Sequence, residues 1–315
     1  MKTFIIGVAG FVGKHLVNEL VNSGWDVCGT RLPTESVDLD IPVYELDILD
    51  AVGIKCVLNK TNPDCIFHLA AQSSVAVSWE QPALTIDVNI KGTVNLLEAV
   101  REMKKPTRVL LIGSGEEYGF IKPDDLPINE DTNLHPGNIY ACTKIAQGML
   151  GQIYAKSYGL EIIVIRAFNH IGPGQTDVFV IPGFCKQVAE IEAGENKGVI
   201  HVGNLDAKRD FTDVRDIVRA YRLLAEKGVS GDIYNVGSGN ATAISDVLNM
   251  ILNLSKADIV VEKDQARMRP SDVPVIIADI SKLIACTKWK PEIPLVKTLT
   301  DVLNEWRAVK LKIES

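Results

Sequence analysis

Thr3-Phe-Ile-Ile-Gly7-Val-Ala-Gly10-Phe-Val-Gly13-Lys-His-Leu-Val-Asn-Glu-Leu-Val-Asn22 is the stretch that decides the architecture. Thr3 to Ile6 is an apolar run of the length of a short buried strand, and Lys14 to Asn22 carries apolar residues at helical spacing. Between them stand Gly7, Gly10 and Gly13, each three residues from the next. Glycines there let the backbone turn tightly. They also let a pyrophosphate approach the helix N-terminus, where free N–H groups and the positive dipole end favour an anion. Gly7, Gly10, Phe11, Val12 and Gly13 are therefore candidate contacts for a dinucleotide.

The pattern repeats outward from that start. Asp26 to Thr30, Pro63 to Ala71, Arg108 to Ser114, Glu161 to Arg166 and Asp232 to Gly237 read as further strands, separated by helical segments such as Val94 to Arg101. Strands alternating with helices predict an α/β fold with a doubly wound parallel sheet, whose ligands gather at the carboxyl ends of the strands. Arg31 closes the second strand, at the point where an acid would hold the ribose hydroxyls of NAD. A guanidinium there suits a 2′-phosphate in charge and in forked donor geometry, which favours NADP(H) and leaves NAD(H) as the second choice. The Pro63 strand ends in Leu69, Ala70 and Ala71, the alanines small enough for a flat cofactor to lie close, and Ser73 and Ser74 follow at its carboxyl end as substrate-site candidates. His68, inside that strand, reads as a core histidine without chemistry.

The chain has 315 residues with 46% hydrophobic content, enough for one large domain or two modest ones. A net charge of −7 argues against nucleic acid or an anionic membrane as the main partner. No apolar stretch approaches a bilayer span, and no signal-type cleavage pattern follows the N-terminus, so the expected location is the cytoplasm. The six cysteines show no Cys-x-x-Cys pair or metal-ligand spacing and read as reduced, mostly buried thiols. No metal is expected; Asp210, Asp213 and Asp216, three apart, read as a helix cap and a solvated face.

Tyr140-Ala-Cys-Thr-Lys144 places a phenol and an ammonium one helical turn apart on one face. The cation is expected to lower the phenol pKa and make Tyr140 a general acid or base. Chance also produces this spacing on solvated helices. Here it accompanies the glycine turn and the stretch Ser114-Gly-Glu116-Glu-Tyr118.

The spacing Gly7-x-x-Gly10-x-x-Gly13, with Ser114, Tyr140 and Lys144, resembles the extended short-chain dehydrogenase/reductases, though Ile6 stands where that family usually has Thr. Asn169-His-Ile-Gly-Pro-Gly-Gln175 is the most specific segment. It is similar to the corresponding stretch of bacterial GDP-6-deoxy-4-keto-D-mannose reductases, relatives of the GDP-mannose 4,6-dehydratases, and the likeness runs along essentially the whole chain.

The resemblance implies a Rossmann sheet over 1–166 that binds NADP, with a returning strand near 231–237. It also implies a smaller C-terminal α/β substrate-binding domain formed mainly by 167–315. Ser114 would bind the reacting oxygen and Lys144 the nicotinamide ribose. Glu116 stands where the 4,6-dehydratases carry a base, while Gly115 replaces their more usual Ser or Asp. Asp47 and Ile48 would contact adenine, and Leu69, Ala70 and Ala71 the cofactor ribose and diphosphate. Asn89 matches a central asparagine expected to be structural. Asn169, Arg209 and Arg269 would hold a nucleotide-sugar diphosphate. The activity implied is NAD(P)H-dependent reduction of GDP-4-keto-6-deoxy-D-mannose to GDP-D-rhamnose by a homodimer built on the Tyr140 helix and the helix after Asn89. GDP-mannose 4,6-dehydratase, or another epimerase or dehydratase with bound NADP, stays open, as does a non-catalytic dinucleotide sensor.

Overall fold

The computed structural model of the chain describes residues 1–195, 197–267 and 273–313. The strands are β1 (Lys2–Ile6), β2 (Asp26–Arg31), β3 (Val43–Glu45), β4 (Cys65–His68), β5 (Arg108–Ser114), β6 (Glu161–Ala167), β7 (Asn169–Ile171), β8 (Val199–Val202), β9 (Lys208–Asp213), β10 (Ile233–Val236), β11 (Ala241–Ala243) and β12 (Val260–Lys263). The α-helices are α1 (Phe11–Asn22), α2 (Ala51–Thr61), α3 (Val75–Glu80), α4 (Pro82–Ile86), α5 (Gly92–Arg101), α6 (Ile139–Tyr158), α7 (Val180–Glu192), α8 (Val214–Lys227), α9 (Ile244–Leu252), α10 (Ser281–Thr287) and α11 (Leu295–Ile313).

Seven strands form one sheet in the order β10-β6-β5-β4-β1-β2-β3, and every neighbouring pair is parallel. Strand order reverses between β1 and β4, which opens the crevice where doubly wound sheets take ligands. The expected strands are thus present, and β10 is the returning strand. The central strands read as continuous apolar runs because both faces are covered. On one face, α1 and α8 bury Leu16, Leu20, Ile217, Tyr221 and Leu224 against Ile5, Phe67, Leu110 and Ile163. On the other, Ile54, Leu58, Leu96 and Leu97 pack against Phe4, Ile66, Val109 and Leu111.

A second core lies beyond the sheet, where Phe184 and Val188 of α7 meet Val247 and Leu248 of α9 and Leu299 and Leu303 of α11. Two small sheets accompany it, in the orders β11-β9-β7 and β12-β8. The two halves touch where His170 stacks on Phe11, ring centroids 6.1 Å apart, and where His15 Nε2 lies 2.8 Å from the Pro173 carbonyl oxygen.

Two sequence expectations are corrected. Asp210, Asp213 and Asp216 are buried rather than on a solvated face, because each carboxylate has internal donors. Asp210 accepts from Ser238 and the backbone of Gly239 and Ala278, Asp213 caps α8 through the Arg215 N–H, and Asp216 accepts from Arg219 and the backbone of Glu292 and Ile293. The cysteines are free, but Cys56 and Cys142 are exposed and Cys286 is half-buried.

Candidate active site

Gly7 sits at φ +97°, in the region L side chains avoid, and a Cβ there would stand 3.1 Å from the Ala70 nitrogen. The turn is fastened to β2, with the Gly7 and Val8 N–H groups both donating to the Thr30 carbonyl, so Ile6 in place of Thr leaves it anchored. A Cβ on Gly13 would come within 2.4 Å of the Gly7 carbonyl oxygen, which lets α1 close onto the turn. Gly10 differs: its Cβ would meet nothing nearer than the Gly7 oxygen at 3.5 Å. It is the N-cap of α1 and has no side chain to occupy the first N–H groups. Across the crevice the Leu69 and Ala70 N–H groups donate to the Ile6 carbonyl, which sets Ala70 against Gly7 with Leu69 and Ala71 on either side of it in the chain. This open cradle of small residues at a helix N-terminus fits a pyrophosphate.

Arg31 reaches the rim of the crevice, where its guanidinium pairs with Glu45 at 2.6 Å and donates to the carbonyls of Leu32 and Glu35. Asp47 is exposed and Ile48 buried beneath it; the Asp47 carboxylate accepts from the Leu49 N–H. Ser73 is exposed, whereas the Ser74 hydroxyl caps α3 by accepting from the Val77 N–H.

Ser114, Glu116, Tyr140 and Lys144 come together at the carboxyl end of β5. Helix α6 is capped by Asn138, whose side-chain oxygen accepts from the Ala141 N–H at 2.8 Å. The first turn thereby directs Tyr140 and Lys144 inward, both buried. The ammonium nitrogen lies 5.9 Å from the centre of the Tyr140 ring and donates to the Ile112 carbonyl at 2.7 Å and Gln147 Oε1 at 2.9 Å. Burial pushes Lys144 down to about 8, against the opposing charge of Glu117.

The expected fall of the phenol pKa towards working pH does not occur in this geometry. Burial holds Tyr140 well above the usual phenol range, the Ser114 hydroxyl acts the other way, and Glu117 and Glu116 raise it further. The phenol is thus a stored proton. Glu116 is half-buried, and its Oε2 accepts from Asn138 Nδ2 at 3.2 Å, so it steadies the residue that caps α6.

Asn89, at 1% exposure in a π-helical turn over Asp87–Lys91, donates to Gln72 and Thr143 and accepts from the Gln72 N–H. It ties β4's carboxyl end to α6, as the structural expectation had it. His68 is buried beside Thr93 and pushed down to about 3 by desolvation first and the Lys144 charge second, so it is neutral.

Asn169 and Arg209 lie on adjacent strands of the three-stranded sheet. Asn169 is in register with Phe211, two residues on from Arg209, which sets both side chains on one face. Arg209 donates to the Val273 carbonyl at 2.7 Å. Arg269 lies outside the described residues.

Sequence reasoning missed Asn138, Phe168, and the fully buried pair Glu117 and Arg166. The signal for the pair was an arginine inside an otherwise apolar strand, since a buried cation requires a partner. Among the described residues no cluster of His, Cys, Asp or Glu could hold a metal ion, and no helix is long and apolar enough to cross a membrane.

A seven-stranded doubly wound sheet, a glycine cradle at its switch point and a Ser-Tyr-Lys set at the end of β5 define an extended short-chain dehydrogenase/reductase. The family model described as GDP-mannose 4,6 dehydratase matches residues 4–302. The GDP-6-deoxy-D-mannose reductase of Pseudomonas aeruginosa is 33% identical over 98% of this chain and 97% of its own length. A GDP-mannose 4,6-dehydratase of Vibrio cholerae is 28% identical over 96% and 93%. Among solved structures, RMD from Pseudomonas aeruginosa complexed with NADPH superposes with a TM-score of 0.88, at 31% identity over 98% of this chain and all 100% of that one. The chain belongs to the GDP-mannose 4,6-dehydratase family.

Proposed function

We propose that the chain reduces the 4-keto group of GDP-4-keto-6-deoxy-D-mannose to GDP-D-rhamnose, with NADPH favoured and NADH possible. The Gly115–Phe168 contact carries the choice within the family. A Cβ on Gly115 would stand 3.2 Å from the Phe168 ring, so a side chain between Ser114 and Glu116 would require the ring to give way by a few tenths of an ångström. Dehydration needs one group to take the C5 proton and one to protonate the departing hydroxyl. Here Gly115 brings no second acid beside Glu116, and the Glu116 carboxylate is engaged with Asn138. Reduction needs only a proton donor at C4, and burial keeps Tyr140 protonated.

When bound, the nicotinamide cofactor supplies hydride. Gly7, Gly10 and the N–H groups of Phe11, Val12 and Gly13 hold its pyrophosphate, Asp47 and Ile48 its adenine, and Leu69, Ala70 and Ala71 its ribose side. Arg31 takes a 2′-phosphate. Tyr140 gives its phenolic proton to the C4 oxygen as charge builds there, Ser114 donates a hydrogen bond to the same oxygen, and the Lys144 cation stabilises the phenolate left behind. Asn169 and Arg209, with Arg269, hold the sugar diphosphate on the side of 167–315, opposite the cofactor side of 1–166. Ser73 faces the sugar, while Ser74 serves the α3 cap.

The same reading makes the protein a cytoplasmic homodimer. Its contact face is α4 and α6, where Leu84, Ile86, Met149 and Ile153 are exposed. Helix α5, after Asn89, continues that face from α4 through the turn at Asp87–Lys91.

The test is nicotinamide absorbance with NADPH or NADH and the keto sugar, beside GDP-mannose without reductant. Oxidation with the keto sugar and no product from GDP-mannose is expected. Keto sugar formed from GDP-mannose would make Glu116 the base and overturn the reading. Glu116→Gln should then abolish that activity, whereas the reductase should keep its rate within about threefold.

A further inference from the structure

Glu117 is wholly buried yet ionisable, and no step above uses it. Its Oε1 accepts the Ser114 N–H at 2.8 Å, and its Oε2 accepts Arg166 Nε at 2.9 Å. Gly113 supplies the room: a Cβ there would fall 2.3 Å from Glu117 Oε1. Arg166 comes from the adjacent strand, in register with Gly113 on one side and Asn235 of β10 on the other. Its Nη1 donates to both the Tyr118 hydroxyl at 3.0 Å and the Glu130 carbonyl at 3.3 Å. Tyr118 donates in turn to Asn235 at 2.6 Å, and Asn235 donates to the Ile128 carbonyl and, through its N–H, to Glu130.

Every group in this chain of bonds is fixed by two neighbours, and its free end is the backbone of Ser114. An apolar pair would pack this space without the desolvation cost of two charges. What the ions add is direction, because a carboxylate with one oxygen on each donor fixes the Ser114 peptide in angle as well as distance.

We propose that Glu117 and Arg166 are positioning residues that set where Ser114 presents its hydroxyl to the reacting carbonyl. The kinetic arm of the proposal rests on the reductase reading; the structural arm does not.

The experiment compares wild type, Glu117→Leu/Arg166→Met, and Ser114→Ala in both backgrounds. The double variant removes both charges together and is expected to unfold close to the wild-type temperature and to bind NADPH with unchanged affinity. Its kcat for the keto sugar should fall about 10- to 100-fold, the cost of misplacing a reacting group by about 1 Å, while KM stays within about threefold. Ser114→Ala should then cost almost nothing further, since Ser114 is already out of place. A double variant with wild-type kcat, or one in which Ser114→Ala still costs its full factor, would reduce the pair to a packing element and overturn the proposal.

Crystal structures of wild type and double variant give a readout independent of any reaction. A displaced Ser114 is expected, and an unmoved one refutes the idea. Displacement in a protein that does not reduce the keto sugar would sink the reductase reading and leave the positioning pair standing. Should the double variant fail to fold, Glu117→Gln carries both readouts, because its amide keeps the shape but offers one acceptor to two donors.

Discussion

The ring of Phe168 lies flat enough against Gly115 that an added Cβ would stand 3.2 to 3.3 Å from three of its carbons. Ser114 and Glu116 flank that contact, so the buried ring, packed with Tyr118, Ile128 and Ala278, backs the turn that carries them. Gly115→Ser should overpack it, costing about 1–3 kcal/mol and several degrees of melting temperature. Because Ser114 is the neighbour, kcat should drop more than KM rises, as steady-state kinetics will read.

Gly10 and Gly13 separate fold from binding. Gly13→Ala places a methyl group 2.4 Å from a backbone oxygen and 2.7 Å from the Val8 Cα, neither of which can yield cheaply, so both stability and cofactor affinity should fall. Gly10→Ala meets only an ordinary contact at 3.5 Å. It should melt within a degree or two of wild type yet bind NADPH at least about tenfold more weakly, by fluorescence titration, because on the proposed reading the methyl group would crowd the pyrophosphate at the N-terminus of α1.

Arg31 shares its guanidinium between the loop carbonyls and Glu45. Arg31→Ala should weaken NADPH about 10- to 100-fold, the worth of a charge-assisted contact of about 1.5–3 kcal/mol, and leave NADH nearly unchanged. Glu45→Gln should move the NADPH/NADH ratio the other way. Equal losses for both nucleotides in Arg31→Ala would remove the 2′-phosphate role.

Lys144 titrates near 8 because burial disfavours its charge, whereas an unfolded lysine titrates near ~10.4. Between those values the unfolded chain binds the extra proton, so stability relative to Lys144→Met should rise with pH from about 8 to about 10.4. It should be flat below about 8, where both states are charged. Paired denaturation curves at pH 7 and pH 10 check the sign. Activity runs opposite: above about 8 the cation that receives the phenolate is lost, and kcat/KM for reduction should decline.

The sheet was legible because its central strands are apolar on both faces, and the glycine turn because spacing and flanks are local properties. Tyr140 and Lys144 were legible for the same reason, lying four residues apart on one helix. The environment that sets their protonation was not, since burial comes from packing by distant elements. Asp210, Asp213 and Asp216 looked solvated because their donors are contributed from Ser238, Ala278, Thr298 and Glu292, far along the chain. Arg166, on β6, and Glu117, in the turn just after β5, likewise meet only after β5 and β6 pair.

Strand β10 pairs with β6 and closes that edge of the central sheet, although it lies beyond much of the second core in sequence. During synthesis the sheet therefore waits with β6 as an open ladder until residues 233–236 leave the ribosome. A chain halted before them keeps every strand of the cofactor crevice but exposes an apolar edge to other chains. Such fragments should aggregate rather than survive as a minimal nucleotide-binding unit.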